Sequence, residues 1–231
     1  MKNTKLLYVV LGLIGVGSFT GCKKDVVPAA VAVNIINASS DLPSISVNFT
    51  LVPIQYYQQS AILGYGSSTE FSEPTGVVPL TLISSTDTLH HFFQGNLTLN
   101  SGGIYSLYIY GSLPKIDTLL LRDNIPVHRD STCGIRFINL SSDSGPVSVD
   151  IQGGTTVDFS GIAFKNITAF KTYPVTAAIK NNGGYTFEVK DAAGNILTTV
   201  SWNFKIFQNN TLVISGSKAN STVQVIQVNN Y

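Results

Sequence analysis

Residues that carry chemistry are scarce in this 231-residue chain. Only 12% of it is Asp, Glu, Lys or Arg, glutamate occurs only as Glu70, Glu73 and Glu188, histidine only as His90, His91 and His128, and cysteine only as Cys22 and Cys133. With so little glutamate, a glycosidase-type carboxylate pair would have to draw largely on aspartates. There is no Gly-x-Ser-x-Gly elbow, no His-Glu-x-x-His, no Gly-x-x-x-x-Gly-Lys phosphate loop and no Cys-x-x-Cys pair. His90 and His91 are neighbours on a strand-like segment, point to opposite faces and cannot readily share a metal. The sequence therefore assigns no catalytic residue, no metal site and no cofactor, and an enzyme whose groups converge only in space stays as one alternative.

What the chain does have begins at its start. Lys2 and Lys5 precede an apolar run, Leu6 to Val16, that is shorter than the ~20 residues a spanning helix needs. Phe19-Thr20-Gly21-Cys22 follows it. This reads as an export signal, residues 1–21, set aside from the fold. The four residues resemble the bacterial lipobox, with Phe19 where leucine is usual, and the resemblance makes Cys22 an acylated mature N-terminus. Several acyl chains give stable attachment where one gives only marginal binding. Lys23-Lys24 stand where an inner-membrane lipoprotein often has aspartate, so the resemblance implies a lipid anchor in the outer membrane, with the leaflet, periplasmic or outward, left open. Residues 22–30 form a tether that reaches roughly 30 Å when extended. Without Lys2 and Lys5 the chain has twelve basic against thirteen acidic residues, no footprint for nucleic acid. With Cys22 acylated, Cys133 has no disulfide partner and is expected to be a buried, inert thiol.

The chain also repeats. Val33-Asn34-Ile35-Ile36-Asn37-Ala38-Ser39-Ser40-Asp41 is echoed 102 residues later by Ile135-Arg136-Phe137-Ile138-Asn139-Leu140-Ser141-Ser142-Asp143, and Ser44 to Phe49 by Pro146 to Ile151 at the same spacing. Each half closes on an apolar strand that ends in Gly-Ser, at Gly111-Ser112 and Gly216-Ser217. β-Branched and aromatic segments alternate with Gly-rich turns such as Ser101-Gly102-Gly103, Gln152-Gly153-Gly154, Asn182-Gly183-Gly184 and Ala193-Gly194-Asn195, read as hairpins, and no run has helical period. The predicted fold is all-β, two tandem immunoglobulin-like β-sandwich domains at 31–122 and 134–231 joined by a polar linker at 123–133. A single larger barrel is the competing architecture. Glu70 and Glu73 are read as flanking a proline-containing turn.

The Asn-x-Ser-Ser-Asp turn, the Val-x-Val strand after it, the Gly-Ser closing strand and the tandem layout behind a lipobox together resemble a family of uncharacterised bacterial lipoproteins with two all-β domains of unknown function. The resemblance implies fold and location rather than activity. A feature present in both halves is most simply required by the fold, so the two turns are read as structural, their Asn, Ser and Asp side chains capping the backbone. Features unique to one half are the better functional candidates. Tyr56-Tyr57-Gln58-Gln59 combines aromatic faces and amides suited to sugar rings. Ser131, in an Asp-Ser-Thr triplet, is the best candidate for an O-linked glycan. The expected function is a non-enzymatic cell-envelope adhesion, scaffold or recognition module with an envelope-protein or glycan partner. A glycan-binding accessory of nutrient uptake is the second expectation.

Overall fold

The computed structural model describes residues 29–53, 61–87, 89 and 91–230. The signal segment, Cys22, Tyr56, Tyr57, Gln58, Gln59 and His90 lie outside the described residues.

The first half forms β1 (Ala30–Asn37), β2 (Ser44–Asn48), β3 (Ile62–Gly64), β4 (Ser68–Pro74), β5 (Gly76–Ser84), β6 (His91–Leu99), β7 (Ile104–Ser112) and β8 (Lys115–Arg122). The second forms β9 (Thr132–Asn139), β10 (Val147–Ile151), β11 (Val157–Ile162), β12 (Lys171–Pro174), β13 (Tyr185–Lys190), β14 (Ile196–Trp202), β15 (Asn209–Ser215) and β16 (Gln224–Asn229), with a short helix α1 (Ala177–Asn181) between β12 and β13. The sheets run β4-β1-β7-β8 and β3-β2-β5-β6 in the first half, and β12-β9-β15-β16 and β11-β10-β13-β14 in the second. Adding eight to each number converts one half into the other. The protein is thus two tandem β-sandwiches built of four-stranded sheets, not one closed barrel.

The connectivity departs from the immunoglobulin order expected above, in which the first two strands share a sheet. Here β1 and β2 lie in opposite sheets, and β1 pairs in parallel with β7, as β9 does with β15. The Asn37 to Pro43 turn carries the chain over the end of the sandwich instead of folding it back as a hairpin. Other local readings also change. Gln152-Gly153-Gly154 and Ala193-Gly194-Asn195 do close hairpins, but Ser101-Gly102-Gly103 is a corner between sheets and Asn182-Gly183-Gly184 ends α1. Thr176 caps α1 by accepting from the Ile179 N–H at 3.3 Å, a start signal too short to show as periodicity. Glu70 and Glu73 both lie on edge strand β4, Glu73 just before Pro74 and the Thr75 bend and Glu70 well inside the strand.

Each sandwich has its own core. Val33, Ile35, Leu107 and Ile109 meet Ile45, Leu80 and Leu82 in the first, and Ile135, Phe137, Leu212 and Ile214 meet Val149, Phe187 and Val189 in the second. A third core joins them. The outward faces of β1, β7 and β8 pack on those of β9, β15 and β16, burying Ile36, Tyr108 and Tyr110 against Ile138, Val213, Ile226 and Val228. Strands β1, β7, β9 and β15 are consequently buried on both faces, which is why β7 reads Ile-Tyr-Ser-Leu-Tyr-Ile-Tyr without polar alternation. Each such side chain is worth about 1.5–3 kcal/mol of burial that a separated half would forfeit.

The fused body has two distinct ends. β1 runs from Ala30 to the Asn37 turn, β9 from Thr132 to the Asn139 turn, and both turns line a common cleft, so both strands finish at one end, here called the turn end. The opposite end, the tether end, holds the start of β1, the 123–131 segment, α1 and the end of β16. The expected linker is a packed strap. Its Asp123 continues the β7–β8 ladder through an N–H bond to the Ile104 carbonyl at 2.8 Å, and Pro126 accepts from Asn209 Nδ2 at 2.8 Å.

Candidate functional site: the cleft between the repeated turns

The turn residues act first on the backbone. Asn37, fully buried, donates through Nδ2 to the Leu42 and Leu63 carbonyls at 2.7 and 3.4 Å and accepts from the Ser39 N–H at 3.1 Å. Asn139 repeats this with the Gly145 and Ile162 carbonyls, both at 3.1 Å, and the Ser141 N–H at 3.0 Å. Each asparagine therefore clamps its turn to the neighbouring sheet. The aspartates of the motif hold the loop after the closing strand. Asp41 accepts from the Leu113 N–H at 2.9 Å; Asp143 accepts from Ser217 Oγ at 2.7 Å and from the N–H groups of Lys218 and Ala219 at 2.8 and 3.0 Å. Burial opposes ionisation of Asp143, but the Ala219, Ser217, Lys218 and Ser141 donors outweigh it and bring its pKa down to about 2.

These contacts place two copies of one polar device side by side. Ser40, Asp41, Gly111 and Ser112 from the first half face Ser142, Gly216, Ser217, Asn220 and Thr222 from the second, over a floor of Ala38 and Leu140. The closing glycines let each half's last hairpin close tightly at the cleft. Gly111 and Gly216 sit at φ 100° and 90°, and a side chain on either would collide with the Lys115 or Thr222 carbonyl. The cleft has a volume of about 170 Å³, below the ~300–1,000 Å³ of sites that enclose a drug-sized ligand. Its lining of hydroxyls, one amide and one carboxylate suits the edge of a hydroxyl- or amide-rich macromolecule.

Between the halves, from mid-strand toward the tether end, runs a polar chain. Arg136 Nη2 lies 2.5 Å from Asp123 Oδ1 with both side chains buried, and its Nε donates to Thr211 Oγ1 at 2.8 Å. Ser106 donates to Asp123 Oδ2 at 2.7 Å, while its counterpart Thr211 donates to Asn230 at 2.5 Å. The guanidinium also stacks on Phe170, 4.3 Å from the ring centre. At the rim, Tyr65 of the first half meets Ser215 of the second at 3.3 Å, and Phe164 of the second packs edge-on against Tyr110 of the first at 5.8 Å.

Comparison of the chain with the models of known protein families and with curated proteins finds no match. The site must therefore be read from its own residues.

The remaining candidates are dispersed. Ser131 is exposed in the bend before β9, and its carbonyl accepts from the Val175 N–H at 2.7 Å. His91 is exposed at the start of β6. His128 joins Asn209 and Thr132, each at 3.0 Å, and pins the strap. Cys133 is fully buried, and desolvation pushes its pKa up to about 11. Among the described residues no three His, Cys, Asp or Glu side chains come together, and no helix is long and apolar enough to cross a membrane. Sequence reasoning missed Ser112, Ser217, Asn220 and Thr222 as site residues. The signal was present in the Gly-Ser closing motif and the turn, each repeated, which were read separately and not as facing pairs.

Proposed function

We propose that this protein is a non-enzymatic, lipid-anchored lipoprotein of the outer membrane that recognises an envelope macromolecule through the cleft at its turn end. The observation that carries this reading is the polarity of the fused body. The chain enters at the tether end, eight residues after Cys22, and both repeated turns converge on one polar cleft at the far end. A rigid body attached at one end and patterned at the other is suited to presenting a contact surface. The resemblance to uncharacterised tandem all-β lipoproteins supports the same reading. The cleft's small volume and hydroxyl lining favour the edge of a glycan or an extended peptide over an enclosed small molecule.

A photo-reactive side chain placed at Ser142 or Asn220 in living cells tests the reading. One defined adduct is expected from both positions and none from Thr199, on the outer strand β14. Equal labelling from all three positions, or labelling from Thr199 alone, would contradict it.

A further inference from the structure

The tether end carries an apolar rim. Ten large apolar side chains are exposed among the described residues, and six of them, Leu51, Val52, Val77, Val127, Val157 and Phe207, lie at this end. Leu51 and Val52 follow β2 in a turn held by Asn48, which accepts from the Thr50 N–H at 2.9 Å and donates to the Val52 carbonyl at 2.9 Å. Val77 enters β5, Val157 opens β11, Val127 lies on the strap and Phe207 precedes β15. Single exposed apolar residues are ordinary. Here they come from both halves and lie at the same end. Val127 and Phe207 also flank a cavity of about 400 Å³ whose other walls are largely apolar.

Charge at the same end has a sign. Arg122, Arg129, Lys180 and Lys205 are exposed at this end, against the acids Glu73 and Asp130, while Asp123, Asp150 and Asp158 there are paired with Arg136, Lys190 and Lys171. Glu73 is itself held above the usual carboxylate range by desolvation. The tether adds Lys23 and Lys24. Apolar side chains ringed by lysine and arginine are the composition of surfaces that seat at the headgroup boundary of an anionic bilayer. The short chain between Cys22 and Ala30, roughly 30 Å at full extension, joins the body at this end and so makes it the end nearest the anchor.

We propose that the tether end is a membrane-docking face. The rim enters the headgroup region, the basic residues meet lipid phosphates, and the strands stand across the membrane plane with the turn-end cleft facing away. This rests on the reading of Cys22 as a lipid anchor, and the test separates the two. Protein extracted from cells is reconstituted into phosphatidylethanolamine–phosphatidylglycerol vesicles containing a lipid-attached quencher, with an environment-sensitive fluorophore on Val127→Cys or, as control, Ser142→Cys. Buried Cys133 leaves the introduced thiol as the reactive one. The docking face requires a blue-shifted Val127 label quenched several times more strongly than the Ser142 label. A Val52→Ser/Phe207→Ser variant, with unchanged melting temperature, should lose that quenching and still float with the vesicles. Flotation with both labels unquenched would keep the anchor and overturn the docking face. Failure to float would overturn both. A blue shift at Val127 without lipid quenching, together with a dimer mass, would assign the face to a second copy of the chain and overturn the proposal.

Discussion

Arg136 and Asp123 form a buried ion pair across the boundary between the two sandwiches, at 2.5 Å. In the first half the position equivalent to Arg136 is Asn34, so the cross-link breaks the symmetry of the duplication. One residue ties the second half's first strand to the carboxylate that ends the first half's last strand. The pair lies beside the third apolar core, and together they make a two-domain sequence behave as one body.

Arg136→Ala should lower unfolding stability by about 3–5 kcal/mol, because Asp123 would remain buried without its partner. Replacing both residues with apolar ones of similar volume should restore most of that loss. Chemical denaturation followed by far-UV dichroism and by Trp202 fluorescence checks it. The wild-type transitions should coincide, and two separated transitions would show that the halves are independent.

Tyr108 offers a test of opposite sign. Its hydroxyl is buried in the central core beside Ser106 and Thr211 without a hydrogen bond of good geometry, and the protons of those two hydroxyls go to Asp123 and Asn230. Tyr108→Phe should be neutral or stabilising by up to about 1 kcal/mol. A loss larger than that in thermal unfolding would mean the hydroxyl is bonded.

Asn139→Ala removes a side chain that satisfies one buried N–H and two carbonyls, and should cost about 2–4 kcal/mol. Asn37→Ala should cost a similar amount. A near-zero effect at both positions would make the turns free for other work and undo their structural reading.

Asp143 gives the turn end a pH dependence. Its folded pKa, about 2, lies below the ordinary aspartate value of 3.8, so its contribution is complete above pH 4 and is lost as pH falls from there through about 2. Asp143→Asn should be less stable than wild type at neutral pH, and the gap should close in the acid range. A gap that does not change with pH would contradict the carboxylate's role.

Cys133 should resist maleimide at pH 7 to 8 in the folded protein, because burial raises its pKa to about 11, and react fully in denaturant. Rapid native labelling would show that the start of β9 opens.

Much of the fold was legible because strand signals are local. The Val33-x-Ile35 pattern, the hairpins at Gly153 and Gly194 and the repeat itself point to paired sandwiches. The crossing of β1 to the sheet opposite β2 was not legible, because it depends on a parallel pairing with β7 far along the chain. The third core was visible only as a missing alternation in Tyr105 to Tyr110, which equally fits an ordinary buried strand. The cleft was hidden for a related reason. Ser112 and Ser217 are unremarkable alone and become a site only when the two halves face each other. Tyr56 and Tyr57 are placed by sequence alone, in the segment between β2 and β3.

The anchor is the claim on which the orientation rests, and the intact mass of protein extracted from membranes tests it most directly. The account requires a chain that starts at Cys22 and carries the mass of several acyl chains, and a Cys22→Ala protein that leaves the membrane fraction; a further hexose-sized increment lost in Ser131→Ala would add the linker glycan. A membrane-extracted chain with unmodified Cys22, or an unacylated soluble one, would contradict it.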